Sequence, residues 1–264
     1  MDNKTLALKT LHHLESVYMI FSQYTRMPYV ECDSETFDDQ VHILASEDEA
    51  QAFTKEHTEK KIALVAQKIP NDKAPGVLVS MYALGANAVV FHYNGTTETF
   101  QLEQLVKKPT FDKALAEKLP IMNPTLTLST LYFLQELHRP VAHDKKQLKA
   151  LEDEMIVNLL RSKYILATAA ANPGEKLDPK NPKQPKCINY IKNKEGKLFL
   201  PVCSDVSEFQ KFYQKKASEL GMTVVTFTQL LKHLSPEAKG VVLNPASFAL
   251  QIQKEQLEKI MQSL

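Results

Sequence analysis

Apolar positions along this chain switch between helical and alternating spacing, and the switches mark out its elements. Over 6–21, Leu8, Leu11, Leu14 and Tyr18 recur at helical spacing, with 16–20 able to continue as a strand. Residues 29–32 and 41–45 read as strands joined by an acidic hairpin loop. Ser46-Glu47-Asp48-Glu49 is a capping box, with Ser46 as N-cap and Glu49 at the third helical position, and it opens a helix to about residue 56. Residues 61–66 read as a short buried strand, 77–84 as a helix stopped by Gly85, and 88–93 as a strand. Asn94-Gly95 is the strongest hairpin signal, and it should fold 97–102 back antiparallel.

Residues 103–146 read as a helical connector, most regular where Leu128, Leu131, Leu134 and Leu137 recur every third residue. A helix over 148–160 then leads to a strand at 164–169 and a long surface loop holding Pro179, Pro182 and Pro185. Segments 187–191 and 197–203 should form a hairpin. Ser204 and Asp205 cap a helix to about residue 220, stopped by Gly221. A buried, β-branched strand at 223–227, a short helix at 229–234 and a strand at 240–243 follow. Asn244-Pro245 should start a closing helix carrying Ile252, Leu257, Ile260 and Met261.

The two halves repeat one order of elements. Segment 15–22 matches 161–168 in pattern, and 39–46 matches 197–204, with roughly a dozen more residues between them in the second half. The expected fold class is therefore α/β (α+β mixed): two similar modules, each a mixed, mainly parallel sheet with an N-terminal hairpin and flanking helices. Module 1 spans 1–102, the connector 103–146 and module 2 147–264.

Composition narrows function by exclusion. The formal net charge of +1 over 264 residues gives no overall field that would gather nucleic acid or an anionic membrane, so neither is an expected partner. The N-terminus leads into a charged amphipathic segment, and no uninterrupted apolar run reaches about 18 residues, which points to the cytoplasm. Cys32, Cys187 and Cys203 form no CxxC and fit buried, reduced thiols. The seven glycines are spaced so that GxGxxG, a P-loop and GxSxG are all excluded.

At Leu200-Pro201-Val202-Cys203-Ser204-Asp205 and Gly240-Val241-Val242-Leu243-Asn244-Pro245 the second half resembles the SseB family, named for enhanced serine sensitivity. The likeness covers 148–264 and reaches the first half only through the internal repeat. Cys203 stands where that family has an aromatic residue, and Ser204 where it has threonine. The resemblance implies the two-module fold and a link to amino-acid metabolism or its regulation. It carries over no catalytic residue.

Candidate chemistry is sparse. His12-His13 sit on adjacent helix faces, His138 and His143 flank Arg139-Pro140, and no HExxH occurs, so neither a metal nor a cofactor is expected. His92 is better placed: strand alternation puts it with Val90, opposite Val89, Phe91 and Tyr93. The carboxylates Glu31, Asp33, Glu35, Asp38 and Asp39 read as a solvated hairpin loop, and Lys192, Lys194 and Lys197 give the matching hairpin the opposite charge. Ligands of open sheets sit beyond strand ends near helix N-termini. That edge collects Ser204, Asp205, Thr228, Asn244 and Ser247 in module 2, and Ser46, Lys68, His92 and Asn94 in module 1. Helix capping alone, at about 1 kcal/mol each, accounts for several of them. The expectation is a non-catalytic cytoplasmic interaction or regulatory protein that binds a protein partner or a second copy of itself. The alternative is a small-molecule sensor, for instance of an amino acid, using the strand-end cleft. An enzyme with an unfamiliar site ranks third.

Overall fold

The computed structural model describes residues 2–109, 121–172, 174–178, 181 and 183–262. Part of the expected connector (110–120) and, in the proline-rich loop, residues 173, 179, 180 and 182 lie outside that set. The chain divides into two compact units, Met1–Phe111 with Pro124–Met155, and Asp112–Asn123 with Ile156–Leu264.

In unit 1, α1 (Asn3–His13) is capped by Asp2, whose carboxylate accepts the Thr5 N–H at 2.6 Å. Strand β1 (Ser16–Ser22) is apolar on both faces, with Val17, Met19 and Ile20 buried, because it lies inside the sheet. It pairs antiparallel with β3 (Asp39–Leu44) and β4 (Leu64–Pro70), and β2 (Val30–Cys32) pairs with β3 off the main path. Helix α2 (Glu47–Glu59) starts at the expected capping box: Ser46 Oγ accepts Glu49 N–H at 3.3 Å and donates to Glu49 Oε2 at 2.8 Å. Helix α3 (Ala74–Leu84) ends at Gly85, in the left-handed region at φ 100°. Strand β5 (Ala88–Tyr93) runs parallel to β3, and β6 (Thr96–Gln101) returns antiparallel through Asn94 and Gly95, both at positive φ. Helices α4 (Leu102–Leu105) and α5 (Pro124–Leu137) complete the unit.

In unit 2, β7 (Lys163–Ala170) follows α6 (Lys145–Arg161), inside which the division between units falls. The later elements are β8 (Lys186–Ile188), β9 (Ile191–Lys192), β10 (Leu198–Val202), α7 (Val206–Tyr213), β11 (Gly221–Thr226), α8 (Phe227–Lys232), β12 (Gly240–Leu243), β13 (Leu250–Gln253) and α9 (Lys254–Gln262). β7 pairs antiparallel with β11, touches β10 through the Ile165–Cys203 bridge, β10 runs parallel to β12, and β12 is antiparallel to β13. Unit 1 shows the same succession from β4 through β1, β3 and β5 to β6.

The mixed α+β class holds, but the balance of strand directions differs from expectation. Among the described strands each unit has one parallel pair, β3–β5 and β10–β12. Parallel neighbours need a long crossover, and only the helix–strand–helix stretches after β3 and β10 supply one. The strands expected as buried at 61–66 and 223–227 are the edge strands β4 and β11, where Val65 is 41% exposed, Met222 37% and Val224 43%. β8 pairs with β7, leaving the short β9 as the hairpin partner of β10. The expected helix over 204–220 breaks at Gln214 (φ 50°) into a 3-10 turn. Asn244 and Ala249, both at φ 48°, reverse the chain before any helix begins, so Ile252 lies on β13 opposite Val241 and the helix starts at Lys254. Cys203 is buried, whereas Cys32 and Cys187 are exposed because they sit on short strands with uncovered faces. Among the described residues no helix is long and apolar enough to cross a membrane.

A Cβ at Gly85 would stand 2.7 Å from Pro124 O, whereas one at Gly95 would meet nothing within 4 Å. Gly85→Ala should therefore cost about 2–3 kcal/mol and Gly95→Ala only the left-handed strain of about 1–2 kcal/mol. Urea midpoints of the two variants measure the difference, and equal losses would show that the Pro124 contact is relieved by adjustment.

Candidate functional site

The strand-end residues of unit 2 form one buried network. Asp205 is the N-cap of α7: Oδ1 accepts Glu208 N–H at 2.9 Å and Oδ2 accepts the Ser204 hydroxyl at 2.8 Å. Asn244 Oδ1 accepts Ser204 N–H at 2.8 Å, and its Nδ2 donates to Ser204 Oγ at 2.8 Å. The Ser247 hydroxyl and the Lys211 ammonium both donate to Glu208, each at 2.7 Å. Ser204, Asp205, Asn244 and Ser247 are all buried. The cluster thus ties the ends of β10 and β12 to the first turn of α7, with its polar atoms turned on one another. Thr228 stands apart, exposed on α8, whose cap is Thr226. In unit 1, Ser46 caps α2, Lys68 lies on the edge strand β4, and Asn94 forms the turn after β5.

His92 belongs to a different arrangement. The parallel register sets Leu44 beside His92 and His42 beside Val90, so both imidazoles project from one sheet face. Thr97 and Thr99 of β6 continue that face, since they pair with His92 and Val90. Helix α2 crosses above it, with Phe53 and His57 one turn apart. Between helix and sheet lies a cleft of about 610 Å³.

Four aromatic rings crowd its floor. Phe53 has its ring centroid 4.8 Å from His42, 4.1 Å from His57 and 5.2 Å from His92. His42 is only 3% exposed, and its Nδ1 lies 3.0 Å from His92 Nε2. Its Nε2 faces Glu31 Oε1 on β2 at 3.0 Å, an ion-pair distance. The Tyr29 hydroxyl donates to the other Glu31 oxygen at 3.4 Å.

Burial pushes His92 down to about 4, with His42 adding to the fall, and burial lowers His57 as well. Both are neutral near pH 7. The neighbouring His42 imidazole holds Glu31 below the usual carboxylate range. Asp33, Glu49 and Glu56 join Glu31 around the cleft, against one lysine, Lys60. Lys60 is itself paired to Glu56 at 2.6 Å.

Among the described residues no group of three or more His, Cys, Asp or Glu is arranged to hold a metal ion. In the acidic hairpin the Asp38 carboxylate accepts from Asn87 at 2.7 Å and Gln101 at 2.9 Å, and Asp39 accepts from Tyr132 at 2.6 Å. A second opening, of about 500 Å³ beside α5, is lined by Tyr132, Gln135 and Arg139, and an apolar crevice near Leu11 and Leu78 holds only about 70 Å³.

Sequence reasoning found His92 and its face but missed His42, Phe53, His57 and the part played by Glu31. The only local sign was a histidine inside the otherwise apolar run of β3. Its meaning depends on which strand lies alongside.

No family model matches the chain, and no curated protein matches it. Two solved structures match along nearly the whole length. Anabaena Tic22, titled as protein transport, is 14% identical over 100% of this chain and 98% of its own, with a TM-score of 0.21. Tic22 from Plasmodium falciparum is 11% identical over 97% and 95%, also at 0.21. Scores this low decide nothing about function. The SseB reading is corrected: no SseB family model matches the chain, and the two matched structures are titled Tic22. The strand-end sequences that suggested SseB are buried strands, one ending in a helix cap at Asp205 and the other in a chain reversal at Asn244.

Two outcomes follow from this geometry. Asn244→Ala removes two buried hydrogen bonds and puts alanine at φ 48°, so it should cost about 2–4 kcal/mol. Asn244→Gly should recover the backbone part, about 1 kcal/mol, in denaturant unfolding. Stability should also fall on acidification, because unfolded His92 takes up a proton near its ordinary 6.5 while folded His92 resists until about 4. The loss should run between those values, with His57 adding to it and Glu31 extending it lower. His92→Gln should flatten the slope of melting temperature against pH, and an unchanged slope would contradict the assignment.

Proposed function

We propose that this chain works by binding, and that the cleft of unit 1 is its ligand site. The observation that carries this reading is the floor: two histidines and a glutamate gathered on a covered sheet face, where apolar side chains would be more stable. Unit 2 provides the contrast. His42 stands four residues before the helix cap Ser46, and Pro201 stands four before the helix cap Asp205. The shared strand succession supports two copies of one module, with the polar floor kept in the first alone. A volume of about 610 Å³ falls in the range of small-molecule sites.

The test is melting of the purified chain against a panel of small metabolite-sized compounds of differing charge. A ligand at about 100 times its dissociation constant should add about 2.7 kcal/mol. The shift should vanish in His92→Leu, which fills the floor with an apolar side chain. A panel in which no compound raises the melting temperature would overturn the reading.

The exposed Val65, Met222 and Val224 on edge strands β4 and β11 favour a second reading, in which a further chain adds to a sheet edge. Native mass spectrometry should then show a homodimer that Val224→Lys dissociates, and a wild-type monomer at tens of micromolar would remove it.

A further inference from the structure

Resting on the sheet-edge reading above, we infer that β11 is the edge used and that its occupant is the β11 of a second copy of this chain. The two strands pair antiparallel about a two-fold axis at Thr223, so that Met222 of each copy lies opposite Val224 of the other.

A comparison of edges supplies the first argument. Sheet edges expose unpaired N–H and C=O groups, and folded chains guard them with lysine, proline or brevity. β4 and β11 hold the same place in the strand succession of the two units, each paired on one side, with β1 and with β7. β4 is guarded, because it contains the exposed Lys68 and ends at Pro70, which has no N–H to offer. β11 is not. It reads Gly-Met-Thr-Val-Val-Thr and pairs with β7 at all six positions without a bulge. No charged residue and no proline occurs from Leu220 to Leu231. The other described edges are charged or short: β6 carries Glu98, β8 Lys186 and β9 Lys192. β13 has four residues, and its exposed side chains are Gln251 and Gln253.

The face of β11 supplies the second. Met222, Val224 and Thr226 are exposed, while Val225 on the opposite face is buried. Met222 pairs with Ala167 and Val224 with Ile165, so both lie on the sheet face where Ile165 and Ala167 pack with Phe209 of α7. Cover ends between the two strands: Ile165 is wholly buried, and Val224 beside it is 43% exposed. The apolar face of unit 2 therefore runs one strand past its helix and stops at an unguarded edge.

A second copy fits this edge because the strand complements itself. Opposite residues of an antiparallel pair point to the same face. An axis at Thr223 sets Met222 against Val224 at two crossings, and the four side chains close into one apolar patch. With no charge on the strand, identical copies bring no like charges together. The same pairing at β4 would place a lysine from each copy in one short ladder. A two-fold contact uses one patch on both copies, so it closes at the dimer.

Sedimentation velocity of the full chain tests this. At tens of micromolar the wild type should be a dimer. Val224→Lys and Met222→Glu should each raise the dissociation constant at least about tenfold. Their urea midpoints should stay near wild type, because both side chains are exposed at an edge. Combining the two substitutions sets a glutamate against a lysine at both crossings and should return the dissociation constant to within about threefold of wild type. Val65→Lys on β4 should leave the dimer unchanged. A folded double variant as dissociated as either single one would overturn the axis at Thr223. A dimer lost in Val65→Lys and kept in Val224→Lys would overturn the choice of β11. Either result leaves the sheet-edge reading standing, whereas a monomeric wild type would remove that reading and the β11 pair together.

Discussion

The parallel pairing of β3 with β5 is the constraint on which the rest of unit 1 depends. Its register sets Leu44 beside His92 and His42 beside Val90, and that offset alone brings the two imidazoles to 3.0 Å. The pairing needs a crossover, and α2, β4 and α3 provide it. The same crossover places α2 over the sheet face, where Phe53 and His57 close the cleft. A slip of one residue in this register would put the two histidines on opposite faces of the sheet. Position and chemistry are therefore settled by one ladder of backbone hydrogen bonds.

Unit 2 uses the same succession of strand directions to a different end. After β10 and β12 its polar side chains close on one another, with Asn244 bridging both backbone and hydroxyl of Ser204. Asp205 and Glu208 are buried there, and each has hydrogen-bond donors from the protein. Buried polar groups that are mutually satisfied fix a structure. In unit 1 the buried His42 meets His92 and the Glu31 carboxylate, each at 3.0 Å, beside a cleft.

Much of the fold was legible in the residues, for local reasons. The Ser46 box, the stop at Gly85 and the Asn94-Gly95 turn each depend on neighbours within a few positions, and all three stand where the pattern puts them. What was illegible depended on distant chain. Apolar β-branched runs at β4 and β11 looked buried, because sequence does not say that a strand has only one neighbour. The reversal at Asn244 and Ala249 turned an expected helix start into β13, since two non-glycine residues adopt a left-handed conformation there. For the site, alternation gave the face of His92 correctly. His42 could be joined to it only once β3 and β5 were known to be neighbours, and Glu31 only once β2 was known to flank β3.

Central to unit 1 is a neutral His92, hydrogen-bonded to His42, beside an ionised Glu31. Long-range proton–nitrogen NMR of the histidine rings across pH 3 to 8 reads the protonation and tautomer of each directly. The account predicts that His92 stays neutral until close to pH 4, with one ring nitrogen showing the shift of a shared hydrogen bond. A His92 that titrates near 6.5 with both nitrogens behaving as in free imidazole would contradict it, and with it the cleft as a built site.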